Sequence, residues 1–551
     1  MRSIVLIISV LALLFFQSCT STKPAVYPEP LIGSASFDYW IHSPLHPKQQ
    51  EAVSFEAAIV EPNGIVKIEL YIYEYELYIN EEGLPSKRRK AASQWGLVQT
   101  WEYEQPLPKA TVSFDFMEGF HDFSNVEYVF KVIDAADAVS ERLALFDAGK
   151  SPWGDEKILL YATTRKPLKE TINLCFLPDT DYEQNWTGFL ADVEQLIYKG
   201  YHGNNKIEDN KELWQFYYTP QEMDGKAIST TYYDKSLYPD FMKNATIQGV
   251  DAFGLLHQST YGDGAYLKRN LRFLAYNFFT SESYNYGTAV HETAHAIFNL
   301  SDEYDQCACF ENPQGANVFA NLNTCQAFNK KHGFPADECS SIKHVNGKDW
   351  YMSESNVYFP SEAACAQYNE EQGYKENNCE RFIDIEGNHW YRSLDGLCIM
   401  QDDGDEIVRD FKRTCSSIID NYYKELRSKS GSFLANQEMQ ENIFGYEPVV
   451  LMELHTNPTT FSLAIQDTIN GVPSKHYAPR EGYRIDFLNE KGIKTQSLDL
   501  GNPKEFMIHG TEEELIELEE VSYRFTIPYE QGVKRIKTTR KDGKEQVQKL
   551  K

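Results

Sequence analysis

Positive charge is scarce in this chain: 53 lysines and arginines face 81 aspartates and glutamates, a formal net charge of -28 over 551 residues. Such an excess repels phosphate backbones and anionic head groups, so it excludes nucleic-acid binding and a polybasic membrane surface and is read as solubility. Long apolar runs are scarce as well. The run Ile4 to Phe16 behind Arg2 is too short to span a bilayer and reads as the core of a signal peptide. The composition also lacks the bias of disordered or fibrous chains, with 42% hydrophobic and 14% aromatic residues, and its 35 tyrosines suggest much β-structure. The paired CxxC units of a zinc ribbon are missing, because Cys307-Ala308-Cys309 is a CxC without a partner.

What is present divides the chain. At about 150 residues per domain, three or four units are expected. Residues 1–19 are expected as a lipoprotein signal peptide. Ser18-Cys19 resembles the bacterial lipoprotein cleavage site, which makes Cys19 the lipidated first residue of an envelope lipoprotein, expected on either face of an outer membrane. Phe16 stands where leucine is common, which keeps ordinary secretory cleavage as the rival. Residues 20–36, with Pro24, Pro28 and Pro30, read as a tether.

Residues 37–150 alternate like strands, clearest where Ile68, Leu70 and Ile72 oppose Glu69, Tyr71 and Tyr73, with Pro62-Asn63-Gly64 as a turn signal. An all-β sandwich of immunoglobulin-like type is the expectation. Residues 161–430 mix strands (Ile172–Leu177, Trp214–Tyr218) with helices (Trp186–Tyr198, Tyr266–Phe279, Thr288–Phe298). Residues 445–551 read as β again, through Val449–Leu454, Thr460–Ala464 and Val521–Ile527, with a basic solvated tail from Lys534.

Of ten cysteines, Cys19 apart, eight fall between Cys307 and Cys415, as expected of disulfides in an oxidising compartment; Cys175, in an apolar stretch, reads as a buried structural thiol. Residues 307–391 hold a repeat of period 40: Cys325 matches Cys365, Cys339 matches Cys379, Gly347 matches Gly387, and Trp350-Tyr351 matches Trp390-Tyr391. Two duplicated units are expected, with Cys325–Cys339 and Cys365–Cys379 as the simplest pairing and exchange between the copies as the alternative. The segment either stabilises a surface insertion or lines a cleft.

The chemistry lies in His291-Glu292-Thr293-Ala294-His295. Residues four apart share a helix face, so the imidazoles of His291 and His295 can converge on one Zn2+. Glu292, beside the first ligand, is placed to act as general base toward a zinc-activated water. Asn299 tolerates the left-handed turn that ends a helix, and in metzincin-type peptidases the third ligand follows the turn residue by three; this spacing gives Asp302, with Glu303 as the rival and a solvated acidic pair as the bland reading. Tyr304, Tyr351 and Tyr391 are candidate oxyanion stabilisers without distinguishing spacing, and His257 reads as a satisfied structural histidine.

The stretch His291 to Tyr304, followed by Gly396-Leu397-Cys398-Ile399-Met400-Gln401-Asp402 and by Phe411 to Cys415, resembles the metallopeptidases named for bacterial immunoglobulin A peptidase, as does the opening strand and loop Leu174 to Tyr182. The resemblance covers about Leu174 to Cys415. It implies a central α/β metzincin-like peptidase domain with a disulfide-rich insertion, Met400 as the apolar base beneath the zinc, and a Cys398–Cys415 pair. The chain departs from that pattern in Asn299, where the family has glycine, and in the duplicated insertion. The expected function is hydrolysis of peptide bonds in extracellular protein or glycoprotein substrates. The alternative is a lipid-anchored glycan- or protein-binding protein on an inactive scaffold. Nothing in the sequence fixes the oligomeric state.

Overall fold

The computed structural model describes residues 33–152, 157–225, 249–300, 317–429 and 447–549, apart from short stretches within them. Cys19, the tether to residue 32, Asn299, Asp302, Glu303, Tyr304, Cys307 and Cys309 lie outside the described residues. The protein is mostly β and is dominated by one curled sheet of fourteen strands. Among the described residues no helix is long and apolar enough to cross a membrane.

The N-terminal part of that sheet comprises β1 (Ser36–Ser43), β2 (Val53–Ile79), β3 (Pro85–Arg89), β4 (Leu97–Phe116), β5 (Ser124–Asp134) and β6 (Val139–Ala148). Ile68, Leu70 and Ile72 are fully buried, as their alternation predicts. Pro62-Asn63-Gly64 does not turn the chain back, however. β2 runs through it with register shifts between Val60 and Ile65, its first half paired with β1 and β4 and its second with β4 and β5. Gly64 makes this bend feasible: its φ is +88°, and a Cβ there would stand 2.5 Å from the Pro106 ring. The curl encloses an aromatic core in which Phe55 meets Tyr128 edge-on and His42 stacks on Phe146.

β7 (Ile158–Ala162) carries the sheet onward, meeting β6 at Leu145–Ala162 and running antiparallel to β9 (Trp214–Tyr218). β8 (Ile172–Pro178), β9 and β10 (Ala252–His257) are buried at every position and pair in parallel, the pattern of strands covered on both faces. The region expected as the helix Tyr266–Phe279 contains strands instead, β11 (Gly264–Lys268) and β12 (Phe278–Glu282). Its apolar content fits either period, and pairing of β12 with the buried β10 decides for strand. The resulting order is β9-β8-β10-β12-β11, with only β11 antiparallel within the set. Helix α1 (Trp186–Gln195) connects β8 to β9 and continues through Tyr201; α2 (Tyr286–Thr293) follows β12. The N-terminal and central parts share one apolar core running from Ala35 to Leu426.

In the cysteine-rich region, α3 (Leu322–Lys331) precedes β13 (Cys339–Ile342) and β14 (Asp349–Met352), and α4 (Glu362–Gln372) precedes β16 (Glu380–Ile383) and β17 (Trp390–Ser393), with β15 (Tyr358–Phe359) before α4. The expected disulfides Cys325–Cys339 and Cys365–Cys379 both form. The strands exchange between copies: β13 pairs with β17, and β14 with β16. The register obeys the repeat, since Cys339 faces Ser393 while Glu380, next to Cys379, faces Met352, next to Ser353. Cys398 and Cys415, expected as a pair, are not bonded to each other; both are buried, and the Lys412 N–H lies 3.4 Å from Cys398 Sγ. Both sulfurs lie within the apolar core, Cys415 on α5 (Arg413–Lys429).

The C-terminal region forms a three-stranded sheet from β18 (Glu447–Thr456), β19 (Phe461–Gly471) and β24 (Val521–Pro528), and a four-stranded one from β20 (Gly482–Leu488), β21 (Lys494–Gly501), β25 (Arg535–Arg540) and β26 (Glu545–Lys549). The basic tail is therefore not a solvated coil. Ile536 and Thr538 alternate with its charges and are 1% exposed, which makes Arg535–Arg540 a half-buried strand. The hairpin of β22 (Glu505–His509) and β23 (Glu514–Glu517) leaves this region and pairs β22 with β11 of the large sheet.

Candidate metal centre

Helix α2 starts directly after the parallel core of the sheet and continues as a widened turn over Ala294–Phe298. Its apolar side is fixed by Ala289, Val290, Ala294, Ile297 and Phe298, all in the core. Phe298 packs edge-on against Tyr422 and Tyr423 of α5, and Tyr423 accepts a hydrogen bond from Trp214 of β9 at 3.0 Å. From the other flank, Thr293 Oγ1 donates to Ala289 O at 2.7 Å, so its contact with Tyr201 at 2.7 Å is donated by the tyrosine hydroxyl. Burial pushes the Tyr201 phenol well up, which keeps that proton in place.

On this frame His291, Glu292 and His295 are 3%, 5% and 1% exposed, with ligand atoms all within 4.8 Å of one another. Each imidazole is held by a backbone carbonyl. His291 Nδ1 lies 2.8 Å from Ile399 O, and His295 Nδ1 lies 2.6 Å from Leu300 O. A carbonyl only accepts, so each Nδ1 carries a proton, and in the neutral ring Nε2 then presents the lone pair. These two Nε2 atoms face each other at 3.0 Å. Two lone pairs that close repel unless a cation lies between them. Nitrogens about 2.0–2.1 Å from one tetrahedral ion stand roughly 3.3 Å apart, within a few tenths of an ångström of the spacing here. Donation of the second ring nitrogen to a carbonyl is also the usual outer support of metal-ligating histidines. The buried Glu292 carboxylate adds negative charge beside the imidazoles, again complementary to a divalent ion. The donor set thus fits a zinc ion.

Met400 is fully buried in the short helical turn Ile399–Gln401, which packs against α2 and also supplies the carbonyl to His291. The sequence pointed to this turn through Met400. The groups that orient the imidazoles, Ile399 O and Leu300 O, are backbone atoms with no signature in residue type. Tyr201 and Thr293 were also missed, although Thr293 sits inside the motif. Tyr351 and Tyr391 lie on β14 and β17 of the exchanged sheets. His257 is fully buried and its Nδ1 lies 2.8 Å from Ser259 O, a satisfied position. Cys175 is fully buried, and burial pushes its thiol up, as befits a structural residue.

No family model matches the chain, and no curated protein sequence does. Among solved structures, Spo0M, a sporulation control protein from Bacillus subtilis, aligns with 23% of this chain and 53% of its own at 13% identity and a TM-score of 0.16. Wild-type OgpA from Akkermansia muciniphila aligns with 22% of this chain and 32% of its own at 11% identity and a TM-score of 0.14. The chain thus spans about half or less of these two structures, and likeness at that level carries no argument about fold or site.

Proposed function

We propose that this chain is an exported zinc-dependent endopeptidase, lipid-anchored through Cys19, that hydrolyses peptide bonds of extracellular proteins or glycoproteins. The observation that carries this reading is the pair of imidazoles locked by carbonyls into the tautomer whose lone pairs converge at 3.0 Å beside Glu292. Support for a metzincin-like peptidase unit comes from the strand order β9-β8-β10-β12-β11, with α1 between β8 and β9 and α2 after β12. The curl of β1 to β6 around an aromatic core accords with an immunoglobulin-like N-terminal unit.

In this reading His291 and His295 hold the ion from one helix face, and Asp302, with Glu303 as its rival, completes the protein ligands. Zinc, when bound, supplies a Lewis acid toward water and the scissile carbonyl. Glu292 takes the proton of the attacking water and returns it to the leaving amine. Tyr201, through Thr293, fixes the helix that carries all three side chains. Met400 closes the floor with apolar bulk and excludes water from that side.

The test is metal analysis paired with cleavage of a protein mixture. Wild type and Glu292→Gln should both carry zinc, whereas cleavage should disappear with a chelator and with the variant, by a factor on the order of 10²–10⁴ for the variant. A purified chain without zinc, or a Glu292→Gln variant of undiminished activity, refutes the peptidase. The second outcome is the one expected of a binding protein on an inactive scaffold. Metal content of Asp302→Ala against Glu303→Ala assigns the third ligand.

A further inference from the structure

A cavity of about 270 Å³ lies away from the histidine pair, between β1 of the N-terminal sheet and the helical segment that follows α1. One wall comes from β1, whose pairing with β2 slips between Phe37 and Tyr39. Such a bulge re-aims side chains, and here the consecutive residues Asp38, Tyr39, Trp40 and Ile41 all reach the cavity. The opposite wall holds Tyr161, Tyr198 and His202. Tyr198 and His202 stand one turn apart on a widened turn in which the His202 N–H donates to Ile197 O at 3.0 Å, five residues back.

Several polar atoms of this cavity are already committed. Tyr161 and Tyr198 donate their hydroxyls to Trp40 O and His42 O, each at 2.9 Å, and the Trp40 indole donates to Leu143 O. What they leave is aromatic surface and negative charge. Three carboxylates (Asp38, Glu56, Glu208) stand against one ammonium, Lys211. Lys211 pairs with Glu208 and rests 4.0 Å from the centroid of the Trp40 ring, so a cation on an aromatic face is already accommodated at this site. Glu56 accepts from Tyr39, and this hydrogen bond, with burial, pushes the Tyr39 phenol up to about 12. Asp38 pairs with the exposed Lys109 at the rim. His202 Nδ1 bonds Glu208 Oε2 at 2.6 Å, and its Nε2 is buried with no hydrogen-bond partner among the described residues.

A ligand that matches these features carries positive charge, offers N–H donors and has an apolar stem. We propose that this cavity binds an organic cation, a guanidinium or alkylammonium group of side-chain size, whose charge and N–H groups face Glu56 and Asp38 and whose stem lies among Tyr39, Tyr161 and Tyr198. The chemistry is shared by a free amine and by an arginine or lysine side chain of a polypeptide. The site does not depend on the metal centre. It lies one helix layer behind it, because Gly200, between Tyr198 and His202, packs so closely on α2 that a Cβ there would stand 3.3 Å from Tyr286 Cβ.

The experiment is calorimetric titration of the full chain with agmatine, with a capped arginine pentapeptide and with glucose. Saturable binding of agmatine or the peptide, weakened about tenfold or more in Glu56→Gln, is the expected result, with the exposed Glu76→Gln unchanged. Glu56→Gln removes charge while keeping the acceptor for Tyr39. If circular dichroism shows it unfolded, Asp38→Asn at the exposed rim decides by the same criterion. Tighter agmatine binding assigns a free amine, and tighter peptide binding assigns a side chain. Absence of saturable binding by both cations, equal binding of glucose, or indifference to the variants overturns the proposal. Zinc content and proteolysis are read separately, so neither outcome depends on the peptidase assignment.

Discussion

His42 provides a pH-dependent test of the N-terminal core. It is fully buried, stacks on Phe146 with ring centroids 3.9 Å apart, and contacts Tyr128 Oη at 3.4 Å and Leu45 O at 3.3 Å. Burial disfavours the imidazolium and lowers the pKa to about 3, against 6.5 for the ordinary group, and the Leu45 carbonyl offsets this in part. The folded state therefore holds His42 neutral while the unfolded chain takes a proton below pH 6.5. Stability from this residue is full above that pH and is lost as pH falls toward about 3, at up to about 1.4 kcal/mol per unit. Between about pH 7.5 and about pH 5 the loss integrates to about 2 kcal/mol. Asp147 acts in the opposite sense. Burial raises its carboxyl to about 6, so its contribution grows as pH falls through the same window, by about 1.4 kcal/mol to about pH 5. The wild-type curve alone thus hides the histidine. The assay is urea unfolding of wild type and His42→Gln at both pH values, where the difference between the two chains cancels Asp147. Wild type should lose about 2 kcal/mol more than the variant on acidification; equal losses would refute a neutral, desolvated His42.

Two further outcomes follow from the structure. Peptide mapping without reductant should recover Cys325–Cys339 and Cys365–Cys379 as cross-linked fragments, while Cys398 and Cys415 alkylate once the chain is unfolded. Because β22 lies between β11 and β23, any N–H in it points toward a partner, so Ile508→Pro should detach the hairpin. An extended polypeptide adds to a sheet edge, and β11 packs against the turn after α2; under the proposed peptidase function, proteolysis of an unfolded substrate should therefore rise severalfold in that variant, and a fall would mean that the hairpin supports the site.

How much of this was legible in the sequence varied with the kind of signal. His291 and His295 were legible because spacing alone puts them on one helix face. The atoms that fix their tautomers were not, since carbonyls of Ile399 and Leu300 have the same chemistry in every residue type. The strands at Gly264–Lys268 and Phe278–Glu282 were hidden by an apolar stretch compatible with both periods, and only the neighbouring β10 resolves it. Ile536 was hidden in another way: flanking cations made a half-buried strand look like a tail. The disulfides were readable from equal separations, but the exchange of strands was not, because a period of 40 residues is satisfied equally by pairing within a copy and between copies.

That exchange has a consequence measurable at single residues. Asn329 and Asn369 occupy equivalent places in the two copies, both fully buried, with Nδ2 at 3.4 and 3.5 Å from Cys339 and Cys379 Sγ. Asn329 also donates to Pro335 O at 3.1 Å and Glu338 O at 3.0 Å, so it ties the end of α3 to the start of β13. Asn329→Ala removes these bonds, a local loss of roughly 1–2 kcal/mol. Pairing within a copy would transmit that loss from β13 to β14, a few residues downstream. Pairing between copies sends it to β17, some fifty residues away in the chain, because Ser340 and Ile342 face Arg392 and Trp390. Hydrogen exchange of the variant should therefore accelerate in Trp390–Ser393 together with Cys339–Ile342 and stay slow in Asp349–Met352, which is held by β16 of the second copy. Loosening of Asp349–Met352 with Trp390–Ser393 unaffected would mean that the copies pair within themselves.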